Sequence, residues 1–219
     1  MRPCALLSLL LVPVGGCSHH ARASSGPTAT MDYRDFSDVQ TPTNPSAPVR
    51  VVMSREAGGS GSVASFVVAA PWHGLKPGLI FRDGAHIAAD QATHKGKPAA
   101  LKAEARAWNM LLQDSPVIVT QADLEPRCEA SLPSGGSSVA LSLTFTPAGT
   151  DKLARFTKFH TGQIVGIIVD GRAVTAPLIN QPITEGRGEI SGGFGSLTAA
   201  QALADRLNGA AGQTRARAS

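Results

Sequence analysis

Along the second half of the chain, Val139, Leu141, Leu143 and Phe145 alternate with Ala140, Ser142, Thr144 and Thr146, which predicts a strand with one buried face. "IVGIIV", Ile164 to Val169, is apolar on both faces and predicts a strand in the middle of a sheet or under a helix. Asp170-Gly171 directly after it is a hairpin signal that sends the chain back through Ala173 and Val174 as far as Pro177. Helical periodicity appears three times. Leu101, Ala105, Trp108 and Leu112 share one face of a segment bounded by Pro98 and Pro116. Thr146 caps a helix starting at Pro147, with Leu153 and Phe156 on its apolar face and Gly162 closing it. The last helix places Ala200, Leu203, Ala204 and Leu207 together, with Ser196 or Thr198 as cap, Thr198 and Gln201 fitting a capping box, and Gly209 at its end. In the first half, Val49 to Ser54 and Val63 to Ala70 read as strands joined by the turn "GGSGS". Gly78 to Phe81 forms a third run, closed by the turn signal Asp83-Gly84. The fold class expected from this order is α+β: a small, mainly antiparallel sheet with helices packed on one face.

The amino terminus has a different pattern. Arg2, an apolar run from Ala5 to Val14, and "VGGC" ending at Cys17 predict a signal peptide over residues 1–16 of the bacterial lipoprotein type, with Cys17 receiving the lipid. Removal of Cys4 and acylation of Cys17 leave Cys128 as the one free thiol, expected to be a buried small hydrophobe. Residues 17–48 are rich in Ser, Thr, Pro and Ala and read as a flexible tether. Residues 49–113 either complete the domain formed by 114–211 or form another, and 212–219, with Arg215 and Arg217, read as a basic tail. The localisation expected is the cell envelope, lipid-anchored to a membrane and facing the periplasm or the extracellular side.

Composition narrows the function. With 219 residues, 42% hydrophobic, the chain can bury a real core, and a net charge of +4 is a slight surplus rather than a nucleic-acid-binding groove. His73, His86, His94 and His160 lack the spacing of metal ligands, and adjacent His19 and His20 lack the further ligands a structural site needs, so neither metal nor cofactor is expected. Ser191 is not in a nucleophile elbow, because Glu189 stands where glycine is needed, and the glycines around it are followed by no Gly-Lys-Ser/Thr. The chain therefore does not read as an enzyme. Trp108 belongs to the core by its helical position, whereas Trp72, in "PWHG", is expected to be exposed.

Four glycines crowd into "GRGEISGGF", Gly186 to Phe194. They suit a turn, a strand whose backbone approaches another segment closely, and a bulge before the last helix. In chain order, Phe156-Thr157, Asp170-Gly171, Thr175-Ala176-Pro177, Ile190-Ser191-Gly192-Gly193, Leu203-Ala204 and Gly209-Ala210 follow a strand of alternating pattern, and Pro116, Thr120, Asp123 and Leu124 precede it. This joint pattern, from Ser115 to about Ala211, resembles the head subdomain of the first periplasmic domain of SecD, the accessory membrane subunit of the bacterial Sec protein-export machinery. The chain departs from the family pattern in a loop one residue longer after Phe194 and in Arg127, where a small residue is common. No later segment reaches the roughly 18 apolar residues of a membrane span, so the proton-coupled work of SecD membrane helices is not expected here.

The resemblance implies binding without catalysis: an exported lipoprotein that holds exported or unfolded polypeptides, with Sec translocon components as further partners. Exposed strand backbone receives an extended peptide by edge pairing, which makes Gly188, Ile190, Gly192, Gly193 and Phe194 the candidate peptide-binding residues. Purely structural glycines are the competing account of the same stretch. The other functional reading is an envelope lipoprotein that packs against one fixed protein partner with no role in secretion.

Overall fold

The computed structural model describes residues 28–55, 62–132, 139–191 and 194–218. The expected signal peptide, Cys17, Gly192 and Gly193 lie outside the described residues. Among the described residues the fold is α+β, with four α-helices and ten strands that pair antiparallel, in three small sheets rather than one.

The largest sheet contains β5 (Val117–Thr120), β1 (Met31–Asp35), β8 (Val165–Val169) and β9 (Arg172–Thr175), in that order. It separates two cores. Met31, Tyr33, Val119, Val165, Ile167, Val169 and Val174 face one; Ile168 and Ala173, with Phe36 and Ile164 just beyond the strand ends, face the other. Burial on both faces is why β8 is apolar throughout, as its pattern predicts. Gly166 is its exception because Phe36 crosses it: a Cβ there would lie 2.3 Å from the Phe36 ring. Asp170 and Gly171 both adopt positive φ, 50° and 75°, the turn that matches strand twist in a two-residue hairpin.

The first core is closed by β10 (Arg187–Ser191), β7 (Ala140–Thr144) and β6 (Glu129–Ser131), paired in that order, and by α3 (Pro147–Phe159) and α4 (Leu197–Ala218). Leu141, Leu143 and Phe145 point inward and Ser142 outward, as the alternation predicts. Thr146 caps α3 by accepting from the Gly149 amide at 3.0 Å. The second core is closed by β2 (Val49–Arg55), β3 (Ser62–Val68) and β4 (Ile80–Arg82) and by α1 (Gly84–Ala92) and α2 (Pro98–Asp114), around Phe66, which packs on Phe36, Phe81 and Trp108. Since β8 and β9 supply side chains to both cores, the segment over 49–113 packs on the same central sheet as the segment over 114–211.

Several expectations are corrected. The tether does not extend to residue 48: β1 pairs with β5 on one side and β8 on the other, and Met31, Phe36 and Val39 are fully buried. Its three charges disguise it, but Arg34 reaches the last turn of α2, donating to the Leu112 and Ser115 carbonyls at 3.0 and 3.1 Å, where a cation complements the helix dipole. Trp72 is 6% exposed rather than open to solvent, with its ring on Phe81 and its indole N–H donating to Asp38 at 3.1 Å. Asp83-Gly84 opens α1 instead of making a turn, since the Asp83 carboxylate accepts from the His86 amide. Ser196 is the cap of α4 and Thr198 lies inside the helix, which does not stop at Gly209 but runs to Ala218 through the tail. An alanine-rich sequence absorbs an internal glycine, at a cost of about 1 kcal/mol.

Candidate functional site

The glycine-rich stretch forms an edge. β10 pairs with β7 in register, Gly188 opposite Leu143 and Ile190 opposite Leu141, and no other described strand pairs with β10. Alternation sends Ile190 inward, where it is 1% exposed in the first core, so its side chain is not available to a ligand. Gly188 faces the same way and lies close under the Phe145 ring, where a Cβ would stand 3.2 Å from it and the ring would have to shift by a few tenths of an ångström. Gly186 turns the chain into the strand with φ +67° and gives its carbonyl to the Phe145 amide at 2.9 Å. Phe194 is partly buried against the first core and lines a cavity of about 290 Å³ with Arg172, Leu203 and Arg206. Of the five candidate residues, Gly188 and Ile190 are thus neighbours on one edge strand, and Phe194 packs against the same core as Ile190 while lining a different cavity.

The outward face of this sheet is the larger concavity. Arg127, Glu129, Ser142, Thr144, Arg187 and Glu189 are among the residues around a space of about 580 Å³. Glu129 and Glu189 flank Ser142 in register, and Glu189 accepts a hydrogen bond from Ser191 at 2.6 Å. Both charge signs are present, and the one large apolar residue around it, Leu143, turns its side chain into the first core. Such a surface offers hydrogen bonds to main chain and polar groups but no pocket for a particular apolar side chain.

The residues of the shared sequence pattern mostly hold the frame. Thr120 and Asp123 cap a one-turn 3-10 helix, Gln121–Asp123, reciprocally, and Asp123 also accepts from Lys152 at 2.7 Å. Thr157, fully buried in α3, accepts from the Ile183 amide at 2.9 Å and so ties the loop before β10 to the helix. Asp170 accepts from the Thr30 amide at 2.9 Å and from Arg206 at 2.7 Å, joining the hairpin to β1 and α4. Cys128 is buried as expected, and burial pushes its thiol up to about 11, far from a reactive thiolate.

Two residues with structural roles escaped the sequence reading. Asn208 in α4 accepts from the Cys128 amide at 2.7 Å and donates to its carbonyl at 3.0 Å, pairing with backbone as a strand would. Asp83, fully buried, accepts from the His86 ring at 2.8 Å and the Ala173 amide at 3.2 Å, linking α1 to β9. No helix among the described residues is long and apolar enough to cross a membrane.

The family model of the SecDF P1 head subdomain matches residues 97–211, which begins earlier than the boundary at 114 and takes in α2. The chain is 46% identical over 52 residues to the protein translocase subunit SecDF of Thermus thermophilus, covering 24% of this chain and 7% of that protein. It is 42% identical over 65 residues to SecD of Dictyoglomus turgidum, covering 30% and 16%, and 33% identical over 91 residues to SecD of Petrotoga mobilis, covering 42% and 19%. The chain thus spans less than a fifth of these relatives' length. A crystal structure of SecDF in the super-membrane-facing form aligns with 84% of this chain and 19% of its own, at 24% identity and a TM-score of 0.47. Its matched half makes this chain a member of the SecDF P1 head subdomain family.

Proposed function

We propose that this protein binds extended polypeptide during export, along β10 and the polar outer face of its sheet. The observation carrying the proposal is that β10 ends its sheet with one side unpaired among the described residues. An edge strand offers a row of N–H and C=O groups that bind any extended chain through main-chain hydrogen bonds, and polar flanks of mixed charge impose little sequence preference. Family membership supports the link to export, since the similar proteins are translocase subunits. Components of the Sec translocon are the second class of partner proposed. The role proposed is binding, in keeping with the similarity to translocase subunits.

We further propose that Cys17 carries a lipid that holds the domain at the membrane on the exported side. Replacing Cys17 with serine then moves the protein from the membrane to the soluble fraction, and unchanged membrane retention contradicts the anchor.

Binding is tested with a photo-crosslinking amino acid introduced at Glu189 on the outer face and, as control, at Lys102 on the exposed side of α2. With a reduced and carboxymethylated polypeptide as probe, adducts form from position 189 and not from 102. No adduct from 189, or equal yields from both, refutes the assignment.

A further inference from the structure

The junction between the second core and the central sheet gathers three metal-ligating side chains that lie far apart in sequence. Asp38 follows β1, His73 sits in the tight turn after β3, and Asp114 ends α2. One ligand atom from each lies within 4.8 Å of the others. We propose that Asp38, His73 and Asp114 form a binding site for one divalent transition-metal ion of the zinc class.

Two oxygen donors and one imidazole nitrogen are a donor set that suits zinc and its neighbours better than magnesium or calcium, which take oxygen alone. The imidazole is already aimed: His73 Nε2 is 2.5 Å from Asp114 Oδ2. Asp38 is held by a group outside the cluster, the buried Trp72 indole, whose N–H donates to Oδ2 at 3.1 Å. An outer hydrogen bond of this kind fixes the orientation of a ligating carboxylate. Around these groups the charges do not balance. Neither carboxylate has a lysine or arginine ion-pair partner among the described residues, and Arg106 donates to the His73 carbonyl at 3.4 Å. Zinc bound at about 2.0–2.2 Å from each donor replaces the His–Asp contact and neutralises the pair, leaving a position open to water. The ion would join three chain segments at the place where β1 enters the second half of the fold.

The test is calorimetric titration of the full chain with zinc chloride, alone and in the variants Asp114→Asn and His73→Asn, asparagine being chosen because His73 has φ +46° and asparagine tolerates that region. The expected result is one equivalent of zinc taken up by the wild type and lost, or weakened at least tenfold, in each variant. Uptake at other residues, His19 and His20 included, is unaltered by either change and so subtracts out. Should a variant fail to fold, nitrogen resonances of the wild-type histidine rings decide: zinc shifts Nε2 of His73. Equal uptake by wild type and variants, or a His73 ring that does not respond, overturns the site.

Discussion

β8 and β10 each place a glycine inside a five-residue strand, and their surroundings make the two glycines mean different things. β8 is covered on both faces and paired on both sides, and Gly166 is there because Phe36 occupies the space a side chain would take. β10 is covered on one face only and paired on one side, and Gly188 fits under Phe145 with more room. The interior strand spends all its backbone and side-chain surface on the fold, whereas the edge strand keeps half of its hydrogen-bonding groups for something else. The proposed binding therefore draws on backbone that packing leaves unpaired among the described residues, not on the most tightly packed glycine.

The contrast is broken most severely at the interior strand. Phe36→Ala removes a fully buried ring from beside Gly166 and is expected to cost about 3–5 kcal/mol in chemical denaturation. A loss near zero would return residues 28–48 to a tether. Gly166→Ala presses a methyl group into the same ring and is expected to cost about 1–3 kcal/mol; combined with Phe36→Leu, which vacates part of the space, the cost falls, so the pair is non-additive. Thr146→Ala removes the α3 cap beside β7 and is expected to lower stability by about 1 kcal/mol. The smallest change is at the edge: Glu189→Lys shifts stability by no more than about 0.5 kcal/mol, being exposed, yet alters polypeptide affinity in a salt-dependent way. Affinity unaffected by this reversal would move binding off the outer face.

Local patterns made much of the fold readable. The alternation of β7, the apolar run of β8, the Asp170-Gly171 turn and the Thr146-Pro147 start of α3 each depend on neighbours in sequence, and each lies where its pattern puts it. β1 does not advertise itself because only Met31 and Tyr33 mark its inward face, while Asp32, Arg34 and Asp35 give the segment a polar composition; its strand character comes from β5 and β8, more than 80 residues away. Trp72 looked exposed for the same reason, since the carboxylate that receives its N–H belongs to Asp38. In the candidate site, the glycines of β10 pointed to close backbone approach, but only strand order shows that β10 is an edge, and only register shows that Ile190 faces inward. The meeting of Asp38, His73 and Asp114 leaves no spacing motif at all.

Amide hydrogen exchange of the full chain, with and without a saturating unfolded polypeptide, bears most directly on the central claim. Edge pairing predicts slower exchange within Arg187–Ser191 on binding, with Val165–Val169 unchanged because those amides are already enclosed. Bound polypeptide that leaves Arg187–Ser191 exchanging at its free rate would contradict it.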